Sequence, residues 1–199
     1  MKLVILKYNA GNVRSVCFAL ERIGVSAIIS DDPQEILSAD KIIFPGVGEA
    51  STAMNYLCAR KLDQLILSLQ QPVLGICLGM QLMCSSSEEG NTKCLGIFDT
   101  VVKKFEKSED NPSRLKVPQM GWNTISELKS PLFKDLKQNE YMYFVHGYYV
   151  EKSEDTISLS NYGTDYSSAL QKNNFYAVQF HPEKSAEAGQ QLLKNFIEI

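Results

Sequence analysis

The segment Pro72-Val73-Leu74 runs into Gly75-Ile76-Cys77-Leu78-Gly79 and on into Met80-Gln81-Leu82-Met83. A short apolar strand thus reaches a cysteine framed by glycines at minus two and plus two, and a helix-like pattern follows. This is the G-x-nucleophile-x-G elbow with cysteine in place of serine. The turn is tight and strained, so bulky flanking residues would collide with the strand before it or the helix after it. The thiol falls at a helix N-terminus, where partial positive charge favours the thiolate. A cysteine in an apolar strand-helix segment is commonly just a small core residue. The glycine frame is what brings a catalytic reading level with that one.

The surrounding pattern is alternating. Leu3-Val4-Ile5-Leu6 reads as a strand covered on both faces. Val13, Val16, Leu20 and Ile23 recur at helical spacing up to Gly24. A strand over 25–30, a short helix over 33–37 and a strand over 41–44 follow. One helical stretch then runs through Leu57, Leu62, Leu65, Ile66 and Leu69 to Pro72, ahead of the 73–76 strand and a 78–84 helix. Such β-α alternation implies a parallel sheet with right-handed crossovers. The second half reads as strands over 97–105, 122–126, 141–150, 156–159, 168–171 and 175–180, with a hairpin turn at Asn173-Asn174. A polar loop spans 106–114, and a helix over 186–197 closes the chain. The expected fold class is α/β: one 199-residue domain with an open sheet, a parallel half, a mixed or antiparallel half, and helices on both faces.

Composition removes several functions. A net charge of −3 gives no basic face for nucleic acid or an anionic membrane. No apolar run approaches the ~20 residues of a membrane span. Five cysteines without a C-x-x-C pair suggest neither a disulfide framework nor a zinc site, and no motif calls for a metal or cofactor. The first apolar run is too short for a secretory signal, so free thiols in a reducing cytoplasm are expected.

A cysteine nucleophile needs a base, and His146 and His181 are the two histidines. His181 lies in Val178-Gln179-Phe180-His181-Pro182-Glu183, where the proline forces the backbone out of its strand. Glu183 can bond the second ring nitrogen and orient it. His146, in Tyr143-Phe144-Val145-His146-Gly147-Tyr148, has no nearby carboxylate but stays a rival base. Acyl transfer also needs oxyanion donors. The amide of Leu78 comes with the elbow. A second donor can come from the turn Phe44-Pro45-Gly46-Val47-Gly48, although an ordinary strand-helix turn has the same look.

Together, Pro45-Gly46-Val47-Gly48, Gly75-Ile76-Cys77-Leu78-Gly79-Met80-Gln81 and Phe180-His181-Pro182-Glu183 resemble the class I (triad) glutamine amidotransferases, in the family's order and over essentially the whole chain. The resemblance implies a Cys77-His181-Glu183 triad hydrolysing the side-chain amide of glutamine through a γ-glutamyl thioester. It implies Val47 and Leu78 as oxyanion donors. Gly48, Gln81, Glu89 and the backbone of Gly147 and Tyr148 would hold the substrate.

The chain has the length of a glutaminase module alone, so a synthase partner is implied. Lys116-Val117-Pro118-Gln119-Met120-Gly121-Trp122-Asn123, Gly11-Asn12-Val13-Arg14-Ser15 and Lys184 after the His-Pro-Glu run are similar to the family branch serving imidazole glycerol phosphate synthesis. There the ammonia passes to a (β/α)₈-barrel cyclase of histidine biosynthesis, as a heterodimer. On that likeness Asn12, Met120, Trp122, Tyr143 and Lys184 face the barrel. The glycines beside Val47 permit a peptide flip that aims its N–H only when the partner is occupied, so the isolated chain is expected to be a weak glutaminase. Competing readings are the same chemistry serving anthranilate, pyridoxal phosphate or surface-sugar synthesis, a non-catalytic regulatory module, and a cysteine peptidase of similar fold.

Overall fold

A computed structural model describes residues 1–9, 12–106 and 115–199. The first half alternates as expected: β1 (Leu3–Leu6), α1 (Val13–Arg22), β2 (Ala27–Ser30), α2 (Pro33–Leu37), β3 (Lys41–Gly46), α3 (Ala50–Ala59), α4 (Leu62–Ser68), β4 (Val73–Cys77) and α5 (Leu78–Met83). The strands that follow are β5 (Ser86–Ser87), β6 (Thr92–Lys93), β7 (Val101–Lys104), β8 (Gln119–Ile125), β9 (Glu140–His146), β10 (Tyr148–Val150), β11 (Thr156–Asn161), β12 (Asp165–Lys172) and β13 (Phe175–Val178). Helix α6 (Ala186–Glu198) closes the chain.

The main sheet runs β2-β1-β3-β4-β13-β12-β10-β7-β5-β6, with β11 paired to β12. From β2 to β13 all neighbours are parallel. Beyond β13, β12 pairs antiparallel with β13, β11 and β10, and β10 with β7. Alternation along β1 explains how both faces are covered. Val4 and Leu6 join one core with residues of α2, α3, α4 and α5, while Leu3 and Ile5 join another with residues of α1 and α6. Each β1 residue therefore removes its side chain from water on one face or the other, the main driving force for such a layered fold. Among the described residues no helix is long and apolar enough to cross a membrane.

Three expectations change. The single helix expected up to Leu69 is two, α3 and α4, because Lys61 takes a left-handed φ of 57° and ends the first. The strand expected from Ile97 begins only at Val101. The amides of Ile97 and Phe98 instead donate to the Met83 carbonyl at 2.9 and 3.0 Å, capping the end of α5. The strand expected over 141–150 breaks at Gly147 into β9 and β10. β9 leaves the main sheet and pairs with β8 as a separate two-stranded ribbon. The expected 106–114 loop lies, past Glu106, outside the described residues, as does Gly11.

Candidate active site

Cys77 ends β4 at the carboxyl edge of the parallel strands, with Gly46 of β3 as its register partner and β13 on the other side. Its φ of 53° and ψ of −107° are unusual for a residue with a Cβ. Strain of this kind typically costs about 1–3 kcal/mol and persists only where packing enforces it. The packing is visible at Gly79, where a Cβ would run into the carbonyl oxygen of Phe44. Only glycine lets α5 sit this close to β3. At the neighbouring turn the two glycines differ. Gly48 has a φ of 127°, whereas Gly46 lies inside β3 and is glycine because a Cβ would strike the Tyr8 hydroxyl and Leu78. The conformational freedom expected beside Val47 thus belongs to Gly48 alone.

His181 is placed by the turn that follows β13. Its amide donates to the Tyr143 carbonyl at 2.8 Å, and the Ser185 hydroxyl accepts from the Tyr143 amide at 2.9 Å while donating to the His181 carbonyl at 2.6 Å. Strand β9 and the histidine turn are therefore locked together. His181 Nδ1 bonds Glu183 Oε1 at 2.8 Å, and both side chains are buried. Burial by itself would lower the His181 pKa. The charge and hydrogen bond of Cys77, together with Glu183, override it and raise the value to about 10. The ring thus lies between the Cys77 sulfur and the Glu183 carboxyl group, poised to carry a proton between them.

His146 is a different kind of residue. Its Nδ1 donates to the Tyr148 carbonyl at 2.7 Å, and its ring packs against Phe105, Phe144 and Tyr166. Burial pushes its pKa down to about 4, so it is neutral at pH 7. Its Nδ1 is thus committed to the turn between β9 and β10, while the residue also borders the cavity that Cys77 lines.

Cys77 opens onto a cavity of about 260 Å³. Val47, Gly48, Cys77, Leu78, Gln81, Glu89, Gly147, Tyr148 and His181 line it, as does Lys184. Glu183 stands behind His181, outside the cavity. Glu89 Oε2 accepts from the Ala50 amide at the start of α3 at 2.8 Å, and burial raises its pKa. Gln81 Nε2 donates to the Tyr148 carbonyl at 3.0 Å. Of the residues expected to face a partner, Asn12 turns inward, its Nδ2 donating to Glu183 Oε1 at 2.5 Å. Met120 and Trp122 stand outward on the ribbon at 66% and 53% exposure, with Tyr143 edge-on to Trp122 and the Lys184 ammonium over the Tyr143 ring. Two features escaped the sequence reading. One is the Asn12–Glu183 contact. The other is Gln179, fully buried, whose amide bonds Gln81 and approaches the Cys77 sulfur. Its position two residues before His181 was the available signal.

A cysteine on a strained elbow, a carboxylate-paired histidine beside it and a small cavity with acceptor groups are the parts that thiol-dependent acyl transfer needs, assembled here on an open α/β sheet. The chain belongs to the class-I glutamine amidotransferase family, which it matches over residues 4–199. It is 58% identical over its whole length, and that of the relative, to the imidazole glycerol phosphate synthase subunit HisH of Bacteroides fragilis. The protein of the same name from Vibrio parahaemolyticus is 45% identical, covering all of this chain and 98% of the relative. Among solved structures, a putative GMP synthase component from Thermoplasma acidophilum superimposes with a TM-score of 0.74 at 21% identity, over 100% of this chain and 93% of that one. That likeness concerns the fold alone.

Proposed function

We propose that this chain is the glutaminase half of an imidazole glycerol phosphate synthase, hydrolysing glutamine and passing the ammonia to a (β/α)₈-barrel cyclase subunit in the cytoplasm. End-to-end identity of 58% to a HisH subunit, on a chain whose cavity places Cys77 beside His181, carries the reading.

In the reaction, the Cys77 thiolate attacks the amide carbon of the glutamine side chain. The oxyanion is held by the N–H of Leu78 and, after a peptide rotation permitted by Gly48, by that of Val47. His181 gives its Nε2 proton to the departing nitrogen, releasing ammonia and leaving the γ-glutamyl thioester. Neutral His181 then takes a proton from water, which attacks the thioester carbonyl. Glutamate leaves, and the thiolate-imidazolium pair is restored. Glu183 keeps the imidazole oriented throughout and stabilises its charge.

The β8–β9 ribbon supports the partner assignment. Its outward residues Met120 and Trp122, with half-buried Tyr143, form an apolar face, and Val145, two residues beyond Tyr143 on β9, carries the carbonyl 3.8 Å from the Cys77 sulfur. A protein seated there would cover the cavity mouth and keep ammonia from bulk water. The deciding experiment is a glutaminase assay of this chain alone, with a candidate barrel protein, and with that protein plus its phosphoribosyl-formimino-aminoimidazole-carboxamide ribotide. A ribotide-dependent rise supports the assignment, and an equal rate in all three conditions overturns it.

A further inference from the structure

Gln179 sits just past the end of β13, fully buried and away from the cavity surface. Its Oε1 accepts from Gln81 Nε2 at 2.9 Å, and its Nε2 lies 3.7 Å from Cys77 Sγ. The second N–H of Gln81 goes to the Tyr148 carbonyl at 3.0 Å. A side-chain amide has two N–H donors and one oxygen, so both donors of Gln81 are committed inside the protein. The remaining polar atom of Gln81, its Oε1, is the one left for the cavity that this residue lines.

A flipped Gln81 would set its oxygen against two acceptors, the Tyr148 carbonyl and Gln179 Oε1. The Tyr148 carbonyl cannot turn away, because it also accepts from His146 Nδ1 at 2.7 Å. Gln179 is oriented in its turn by the sulfur, whose own hydrogen is directed to the Val145 carbonyl at 3.8 Å and which is left to accept the Gln179 N–H. Donor direction therefore runs from Gln81 through Gln179 to Cys77. Orphaned buried acceptors cost the full desolvation penalty, so the reverse arrangement is disfavoured.

We propose that Gln179 is a positioning residue that locks the amide of Gln81 with its oxygen toward the cavity, where it accepts a hydrogen bond from the substrate α-ammonium alongside the Glu89 carboxylate. The inference rests on the glutaminase reading above. It assigns the selection of an α-amino acid over a plain amide to a residue outside the cavity.

The test compares glutamine with glutaramate, which has the same amide and carboxylate but no α-amine, in the complete two-subunit enzyme. In Gln179→Met, kcat/KM for glutamine falls about 10- to 100-fold, the range expected for losing a hydrogen bond to a charged group. The value for glutaramate changes less than about threefold. Gln179→Glu keeps an acceptor for Gln81 and retains the preference for glutamine. In Gln81→Met/Gln179→Met the preference is no lower than in Gln81→Met alone, because Gln179 acts through Gln81. Equal losses for the two substrates in Gln179→Met, or loss of the preference in Gln179→Glu, overturn the inference. Ammonium-driven synthesis in the same variants verifies that the complex is folded. Absence of glutamine hydrolysis in the unsubstituted complex, with ammonium-driven synthesis intact, would overturn the glutaminase reading instead, whatever Gln179 does.

Discussion

His181 Nδ1 lies 2.8 Å from Glu183 Oε1, and the same oxygen takes the Asn12 side-chain amide. One carboxylate oxygen thus ties together the histidine turn and the start of α1. Removing it frees the imidazole to rotate and removes a partner of the imidazolium. Glu183→Ala lowers glutamine-dependent kcat about 10²–10⁴-fold, as for comparable orienting carboxylates. Steady-state assays with glutamine and with ammonium separate this from misfolding, since the ammonium reaction keeps its rate.

Cys77→Ser abolishes glutamine use and leaves the complex able to use added ammonium. Loss of both activities would assign Cys77 a structural role. The same variant loses the sulfur that helps hold the His181 proton. The ring then titrates lower than about 10, because burial still opposes the charge and only Glu183 supports it. Imidazole NMR shifts followed against pH report the change.

His146 makes stability depend on acid. Its folded pKa of about 4 lies below the ordinary 6.5, so the unfolded chain binds the extra proton first as pH falls. Its contribution is full above about pH 6.5 and is lost as pH falls toward 4, on the order of 2–3 kcal/mol from the size of the shift. Denaturant unfolding between pH 7 and 4 measures this. His146→Gln flattens that limb.

Gly79→Ala puts a methyl group into the Phe44 carbonyl. Backbone cannot give way there without parting α5 from β3, so the variant loses about 3 kcal/mol or more. A thermal melt of the soluble protein shows a drop of several degrees. Failure to recover soluble chain agrees with the prediction, and an unchanged melting temperature contradicts it.

Trp122→Ala leaves the isolated chain's melting temperature within a few degrees, because the ring is half in solvent. It weakens binding of the barrel subunit by about 2 kcal/mol, or roughly 30-fold in Kd, as expected for a central aromatic anchor. Calorimetric titration of the two subunits reads the binding change, and a thermal melt of the isolated chain reads the other. An unaltered Kd would move the interface away from the ribbon.

Local covalent and steric constraints determined what was legible in the chain itself. The glycines around Cys77 report a turn with no room for a Cβ, and Pro182 reports the end of a strand. The two-sided apolar runs report strands covered by helices on both faces. Those features identify the elbow, the histidine turn and the parallel half without reference to anything distant in sequence. What the tertiary structure decided involves partners far apart along the chain. Sequence separates His181 from His146 by its neighbouring Pro182 and Glu183, but burial of His146 among Phe105, Phe144 and Tyr166, which makes it neutral, is visible only in the fold. The strand over 141–150 reads as continuous because both of its parts are extended. Its division at Gly147 depends on β9 finding β8 while β10 finds β7 and β12. Gln179 and Asn12 gained their roles in the same way, through hydrogen bonds spanning 98 and 171 residues. Periodicity records how a residue is buried, whereas the direction of a buried amide is set by whichever donors and acceptors the fold brings around it.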